Sequence, residues 1–256
     1  MNNTPIAETE LIINQRGAIY HLDLRPEQLA DTVITVGSPD RVKEVSKYFD
    51  SVTDKEQHRE FITHTGFIGN KLISVVSTGI GVGNIDIVCN ELDALANINF
   101  ETRTINTQHK KLQIIRLGTC GSLHADIEVD SLIVSSYAAG LDNLLLYYQM
   151  PQNTEELGLQ QAFSQQILAS HPTITPYVVA SPGHLAHHFA HGYVHGITAT
   201  CPGFYGPQGR SLRLSPALPN LPEALSAFRH HHHRIANFEM ETSALYGMSA
   251  LLGHDC

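Results

Sequence analysis

Arg41 closes the segment Val36-Gly37-Ser38-Pro39-Asp40-Arg41, in which a β-branched run stops at glycine and proline takes a first helical position. Such a turn aims backbone N–H groups at an incoming anion, and a guanidinium beside it offers a bidentate fork. An ordinary strand-to-helix turn has the same outline. Arg116 lies between Ile115 and Leu117, just ahead of Gly118-Thr119-Cys120-Gly121-Ser122. A guanidinium in so apolar a strand requires an ion-pair partner or a bound anion. The sequence leaves both open, and Thr119 adds a hydroxyl. Ser77-Thr78-Gly79-Ile80-Gly81-Val82-Gly83-Asn84 is a third glycine-rich turn. It lacks the lysine of a P-loop and the spacing of a dinucleotide fingerprint. Glu239 and Glu241 stand two residues apart in Asn237-Phe238-Glu239-Met240-Glu241-Thr242-Ser243. They are helix-end acids favoured by the helix dipole, or acceptors for a pair of sugar hydroxyls.

The elements that must hold these groups are short strands alternating with helices. Strands are expected over Thr32 to Val36, His58 to Thr65, Lys71 to Ser77, Gln113 to Leu117, Ser131 to Ser135, Tyr177 to Ala180 and Tyr193 to Thr200. Helices are expected over Asp40 to Phe49, Asn84 to Ala96, Glu155 to Ser170 and Phe238 to Leu252. The Asn84 helix carries Ile85, Val88, Leu92 and Leu95 at helical spacing. This alternation implies a mostly parallel or mixed sheet with ligand loops at the carboxyl ends of its strands. Two irregular stretches interrupt it, Ile98 to Lys111 and the proline-, glycine- and serine-rich Pro202 to Pro222. Long irregular segments inside a compact domain are often functional.

The 256 residues suit one large α/β domain, and 42% hydrophobic against 16% charged residues describes a globular chain. A formal net charge of −9 opposes nucleic-acid binding, so an anionic substrate needs a few converging arginines. Cys89, Cys120, Cys201 and Cys256 are widely spaced and form no CxxC pair, as expected of free thiols in a reducing compartment. The amino terminus has no leader pattern and no apolar stretch reaches membrane-spanning length, so a cytoplasmic protein is expected. His184, His187, His188, His191 and His195 have spacings a metal could use, but no acid or cysteine accompanies them, and His230 to His233 is an internal run. Both groups read as solvated histidines and no metal is expected.

Seven segments in order resemble the uridine phosphorylases of the hexameric nucleoside phosphorylase superfamily. They are Tyr20-His21-Leu22, Gly37-Ser38-Pro39-Asp40-Arg41, His58-Arg59-Glu60-Phe61, Ser77-Thr78-Gly79-Ile80-Gly81, Arg116-Leu117-Gly118-Thr119, Phe204-Tyr205 with Gln208 and Arg210, and Phe238-Glu239-Met240-Glu241. The resemblance runs from about Tyr20 to the last residue. It implies an α/β fold of three α/β/α layers with a mixed, partly barrel-like central sheet. It implies a single domain over residues 1–256, with 1–16 flexible and a carboxy-terminal strand and helix of the family missing.

The same resemblance implies phosphorolysis of uridine or a related pyrimidine nucleoside to uracil and ribose 1-phosphate. Phosphate falls to the Gly37 backbone, Arg41, Arg116 and Thr119, with Arg59 reaching in from a neighbouring subunit. Ribose falls to Glu241, Met240 and Glu239, with His21 of the neighbour near the 5′-hydroxyl. Phe204 stacks on the base, while Gln208 and Arg210 read its edge. Arg210, Arg116 and Glu241 are the expected catalytic residues. Inorganic phosphate is a co-substrate and no cofactor is implied. A homodimer with shared active sites, assembled as a hexamer, is expected, with neither nucleic acid nor membrane as partner. Ser38 replaces a usual aspartate and Cys120 a common threonine. Val82-Gly83-Asn84 departs from the family's glycine-proline-serine, which counts against a monovalent cation beside Glu60. Three alternatives stay open: a purine nucleoside phosphorylase, a nucleosidase using water, and a non-catalytic nucleoside-binding relative.

Overall fold

A computed structural model describes residues 4–256, which form two compact units. The first comprises residues up to Ile80, Asn84–Gly118 and Leu252–Asp255; the second holds Gly81–Gly83, Thr119–Leu251 and Cys256.

In the first unit β1 (Thr32–Val36) leads through Gly37 and Ser38 into α1 (Pro39–Ser46), with Pro39 at its start as the turn chemistry predicts. An antiparallel hairpin follows, β2 (Ser51–His58) and β3 (Phe61–Ile68), then β4 (Lys71–Ser77) and α2 (Val82–Asn97). β5 (Ile98–Asn99) and β6 (Thr104–Ile105) form a small ribbon inside the stretch expected to be irregular, and β7 (Gln113–Leu117) completes the unit. The five-stranded sheet has the order β2-β3-β4-β1-β7. Its heart is parallel: Thr32 pairs with Ile73 on one side and Gln113 on the other, and Val36 with Ser77 and Leu117. Three strands therefore end level with one another, each followed by a loop. Val36, Val42, Phe49, Ile62 and Val75 bury the face against α1.

The hairpin corrects the expected strand over His58 to Thr65. The chain turns at Arg59 and Glu60, and Arg59 has φ 54°, a left-handed conformation uncommon for a residue with a side chain. β2 escapes the hydrophobic pattern because Ser-Val-Thr-Asp-Lys-Glu-Gln-His is a polar edge strand.

In the second unit β8 (Gly121–Ser122), β9 (Ile133–Gly140), α3 (Thr154–Gln166), β10 (Tyr177–Ala180), α4 (Gly183–His187), β11 (Val194–Thr200), α5 (Leu221–Ala227), β12 (Ile235–Glu239) and α6 (Thr242–Leu252) follow in turn. The sheet order is β10-β9-β11-β12-β8, with β9, β11 and β12 parallel. Phe163, Phe228, Leu159, Leu225, Ile197 and Ile235 anchor its core. The helix expected from Phe238 to Leu252 is in fact two elements: β12 ends at Glu239 and α6 begins at Thr242.

The α/β class with mixed sheets is as expected. Apart from the β5–β6 ribbon, the strands are divided between two five-stranded sheets, and no closed barrel forms among the described residues. The expected loose start falls partly on residues 1–3, outside the described residues. From Ile6 the chain is held: Ile6 N donates to Arg103 O at 2.7 Å, Arg103 Nε donates back to Ile6 O at 2.8 Å, and Leu11 is buried.

Candidate active site

Gly37, Arg41 and Arg116 gather at the carboxyl ends of β1 and β7. Arg41 Nη1 donates to Leu117 O at 3.1 Å, so its guanidinium is tied to the end of the neighbouring strand. Arg116 is half-buried, not enclosed as its apolar flanks suggest, and its side chain folds back over Gly118. A Cβ at Gly118 would overlap that guanidinium, so a larger residue there would make the arginine swing to another position. Gly79, the loop after β4, lies 3.6 Å from the Cβ position of Gly37 through its carbonyl oxygen. Beside it Asn84 Nδ2 donates to Glu60 Oε1 at 3.3 Å. Thr119 follows Gly118 as the first residue of the second unit's main segment.

The two residues assigned to a neighbouring subunit share one patch of the first unit. Arg59 sits at the β2–β3 turn with its guanidinium 6.0 Å from the Tyr20 ring centre, and Tyr20 packs edge-on to His21 at 4.8 Å. His21 itself is fastened to a buried acid the motifs do not mention. Glu91 accepts from His21 N at 3.0 Å, from Leu22 N at 2.8 Å and from His21 Nδ1 at 2.7 Å. A carboxylate on the apolar face of α2, among Val88, Leu92 and Leu95, was the available sign.

In the second unit Phe204, Gln208 and Arg210 form one cluster. The Arg210 guanidinium lies 3.9 Å from the Phe204 ring centre and 5.3 Å from that of Phe238. Its Nη1 donates to Phe204 O at 2.8 Å and to Gln208 Oε1. Gln208 is buried, whereas Phe204 is 51% exposed and keeps ring surface free for stacking. Gly209 takes φ 72°, which turns the chain tightly enough to bring Gln208 and Arg210 together.

Glu239 and Glu241 are used differently. Glu239 accepts from Thr200 Oγ1 at 2.6 Å, Glu241 N at 2.9 Å and Thr242 N at 2.9 Å. Its carboxylate thereby satisfies N–H groups at the start of α6 that no helical carbonyl reaches. Glu241 is held by Gly81 N at 2.7 Å through Oε1. Met240, between them, is half-buried. Behind this frame Tyr177 OH donates to Asp142 Oδ2 at 2.7 Å, and Ser243 Oγ donates to the same oxygen at 3.1 Å. Burial, then the Asp142 charge, pushes the Tyr177 hydroxyl pKa upward, and burial raises the Cys201 thiol to about 12. Both stay protonated and act as framework.

All four cysteines are free thiols. Among the described residues Asp93, His109 and His254 bring three potential ligand atoms within 4.8 Å. Leu112 N donates to His254 Nδ1 at 3.2 Å, so the neutral ring carries its proton on Nε2, which faces Asp93 Oδ1 at 3.2 Å. A metal would have to displace that proton and leave an imidazolate. The trio is better suited to anchoring the chain before β7. No helix among the described residues is long and apolar enough to cross a membrane.

The fold is mixed α/β, with Arg41 and Arg116 at the strand ends of the first unit and the Phe204–Gln208–Arg210 cluster in the second. Residues 31–256 match the phosphorylase superfamily, and the chain belongs to it. A solved nucleoside phosphorylase from Trypanosoma brucei, described as showing uridine phosphorylase activity, is 32% identical with a TM-score of 0.85. The match covers 96% of this chain and 87% of that one. The uridine phosphorylase of Thermococcus kodakarensis is 28% identical over 240 residues, 93% of this chain and 74% of the relative. The DeoD-type purine nucleoside phosphorylase of Hahella chejuensis is 26% identical over 237 residues, 92% and 82% of the two.

Proposed function

We propose that the protein catalyses the reversible phosphorolysis of uridine, or a related pyrimidine nucleoside, to uracil and ribose 1-phosphate. The observation that carries this reading is the Phe204–Gln208–Arg210 cluster. An amide that both donates and accepts, next to a guanidinium that only donates, matches the edge of a uracil ring, and Phe204 offers the stacking face.

The phosphate falls to the Gly37 N–H, Arg41, Arg116 and Thr119, with Arg59 lent by a neighbouring subunit. Each charge-assisted hydrogen bond contributes about 1.5–3 kcal/mol, enough together to outweigh a net charge of −9. Glu241 accepts from the ribose hydroxyls and Met240 packs on the sugar. Glu239 serves the same sugar pocket by holding the Glu241 and Thr242 backbone in place. Phosphate attacks the anomeric carbon as the glycosidic bond lengthens, positive charge gathers on the ribose, and negative charge moves onto the departing base. The phosphate matches the first and Arg210 the second. Catalysis is positioning plus preorganised charge, with no covalent intermediate. Each active site is completed by a second copy of the chain, within a homodimer built into a hexamer in the cytoplasm.

The DeoD-type relatives favour one second reading, a purine specificity on the same fold. Uracil release from uridine, measured against phosphate concentration and beside inosine, separates the two. Saturable dependence on phosphate with uridine preferred is the expected result. Equal cleavage without phosphate would make the protein a nucleosidase, and tight uridine binding without turnover would make it a binding protein.

A further inference from the structure

Glu91 is a buried acid on α2 whose hydrogen bonds all converge on one residue and its successor. Its two oxygens accept from His21 N at 3.0 and 3.1 Å, from Leu22 N at 2.8 Å and from the His21 ring at Nδ1, 2.7 Å. These partners lie 69 and 70 residues away in sequence, so the acid ties the segment before β1 to the helix. A salt bridge between surface groups would leave the backbone amides to water. Here the carboxylate takes both main-chain amides and the ring, which fixes the path of the chain and the orientation of the imidazole together.

The ring is also enclosed from its sides. Tyr20 meets it edge-on at 4.8 Å, Phe61 at 6.4 Å, and His58 Nδ1 lies 3.1 Å from His21 O. A carboxylate can only accept, so the atom facing it must carry the proton. The neutral ring is therefore the Nδ1–H tautomer, and Nε2 is left with a lone pair. No hydrogen bond among the described residues engages Nε2, and the side chain is 29% exposed. The result is an oriented, solvent-facing acceptor.

We propose that Glu91 is a positioning residue that presents His21 Nε2 as an acceptor for the nucleoside's 5′-hydroxyl, and so selects nucleosides with a free 5′-hydroxyl. The inference rests on the phosphorylase reading given above. A 5′-deoxynucleoside has nothing to donate. A doubly ionised 5′-phosphate offers only acceptors to an acceptor, and it meets the Glu91 charge behind the ring. The hydroxyl alone satisfies the lone pair.

Nitrogen-15 NMR of the purified protein should show His21 protonated at Nδ1 and bare at Nε2, and Glu91→Gln should lose that single-tautomer signature. In kinetics, Glu91→Gln should lower kcat/KM for uridine about tenfold, mostly through KM, while 5′-deoxyuridine turnover stays within about twofold. His21→Asn should erase the preference for uridine over 5′-deoxyuridine. Protonation at Nε2 in the unaltered protein overturns the proposal, as does an equal loss on both substrates or no loss on either. If His21→Asn keeps the full preference for uridine, Nε2 does not read the 5′-hydroxyl, even with phosphorolysis intact. If uridine is not cleaved at all, the reaction itself is wrong. The tautomer measurement still decides whether Glu91 sets the ring.

Discussion

Arg210 is held on three sides before any substrate arrives: by the Phe204 carbonyl, by Gln208 and by the faces of two aromatic rings. A long flexible side chain fixed in this way has already lost its rotamer freedom, so little more is lost when charge develops on a leaving base. Its contribution should therefore appear in the transition state more than in binding. Arg210→Ala is expected to lower kcat for uridine by roughly 10²–10³-fold, the cost of removing one preorganised donor to a developing anion. KM should change much less. Steady-state kinetics with uridine at saturating phosphate measures this, and a loss confined to KM would make Arg210 a binding group only. Chemistry narrowed the candidate residue types in the sequence, since anions call for arginine and sugar hydroxyls for carboxylates, and the resemblance to the phosphorylases supplied their proposed roles. Glu91 and Gly118 were not legible there, because their roles depend on partners whose placement is fixed only once the chain folds. Glu91 reaches 70 residues back, and Gly118 matters only through where the Arg116 side chain comes to lie.

At the scale of elements, the boundary between β12 and α6 decides where Glu241 points. Periodicity alone reads the stretch from Phe238 to Leu252 as one helix, whereas Glu239 ends the strand and caps the helix that follows. Polar, edge-lying β2 was missed for the opposite reason, having no apolar face to announce it. β1, β4 and β7 were plain, because strands buried at a sheet's centre carry β-branched and apolar runs cut by glycine. Glu239→Gln keeps the shape but turns an amide donor toward backbone donors. It should cost about 1–3 kcal/mol of stability, seen as a fall of a few degrees in Tm, and it should lower kcat/KM for uridine by loosening Glu241. A variant with lowered Tm and unchanged kinetics would show that the cap serves the helix alone. β3 supplies a pH test. Burial first, then the charges of Lys55 and Lys43, lowers the pKa of His64 in the folded protein. The unfolded chain, with an ordinary value of about 6.5, binds that proton more readily. The stability contributed by neutral His64 is thus complete above that value and is lost as pH falls through the lowered folded one. Tm measured between pH 7.5 and 5.5 should fall less steeply in His64→Gln than in the unaltered protein.

For the whole molecule, the decisive question is whether one chain can finish a site alone. His21 and Arg59 both lie against the Tyr20 ring in the first unit, and Arg59 is exposed at the hairpin turn. A residue presented in this manner is suited to being lent across a two-fold interface, where each copy gives what it receives. Two inactive variants can test the exchange. Arg59→Ala spoils the group a subunit lends, and Arg210→Ala spoils the site that receives it. In a mixed dimer, the subunit carrying Arg59→Ala keeps its own Arg210 and receives an intact Arg59 from the other copy, so one of the two sites is whole. Random reassembly of equal amounts makes about half the dimers mixed and restores about one quarter of all sites. Each variant reassembled alone should stay inactive, and the mixture should recover about that fraction of phosphate-dependent uracil release. Recovery of none, with mixed dimers demonstrated by mass, would mean that Arg59 serves the site of its own chain.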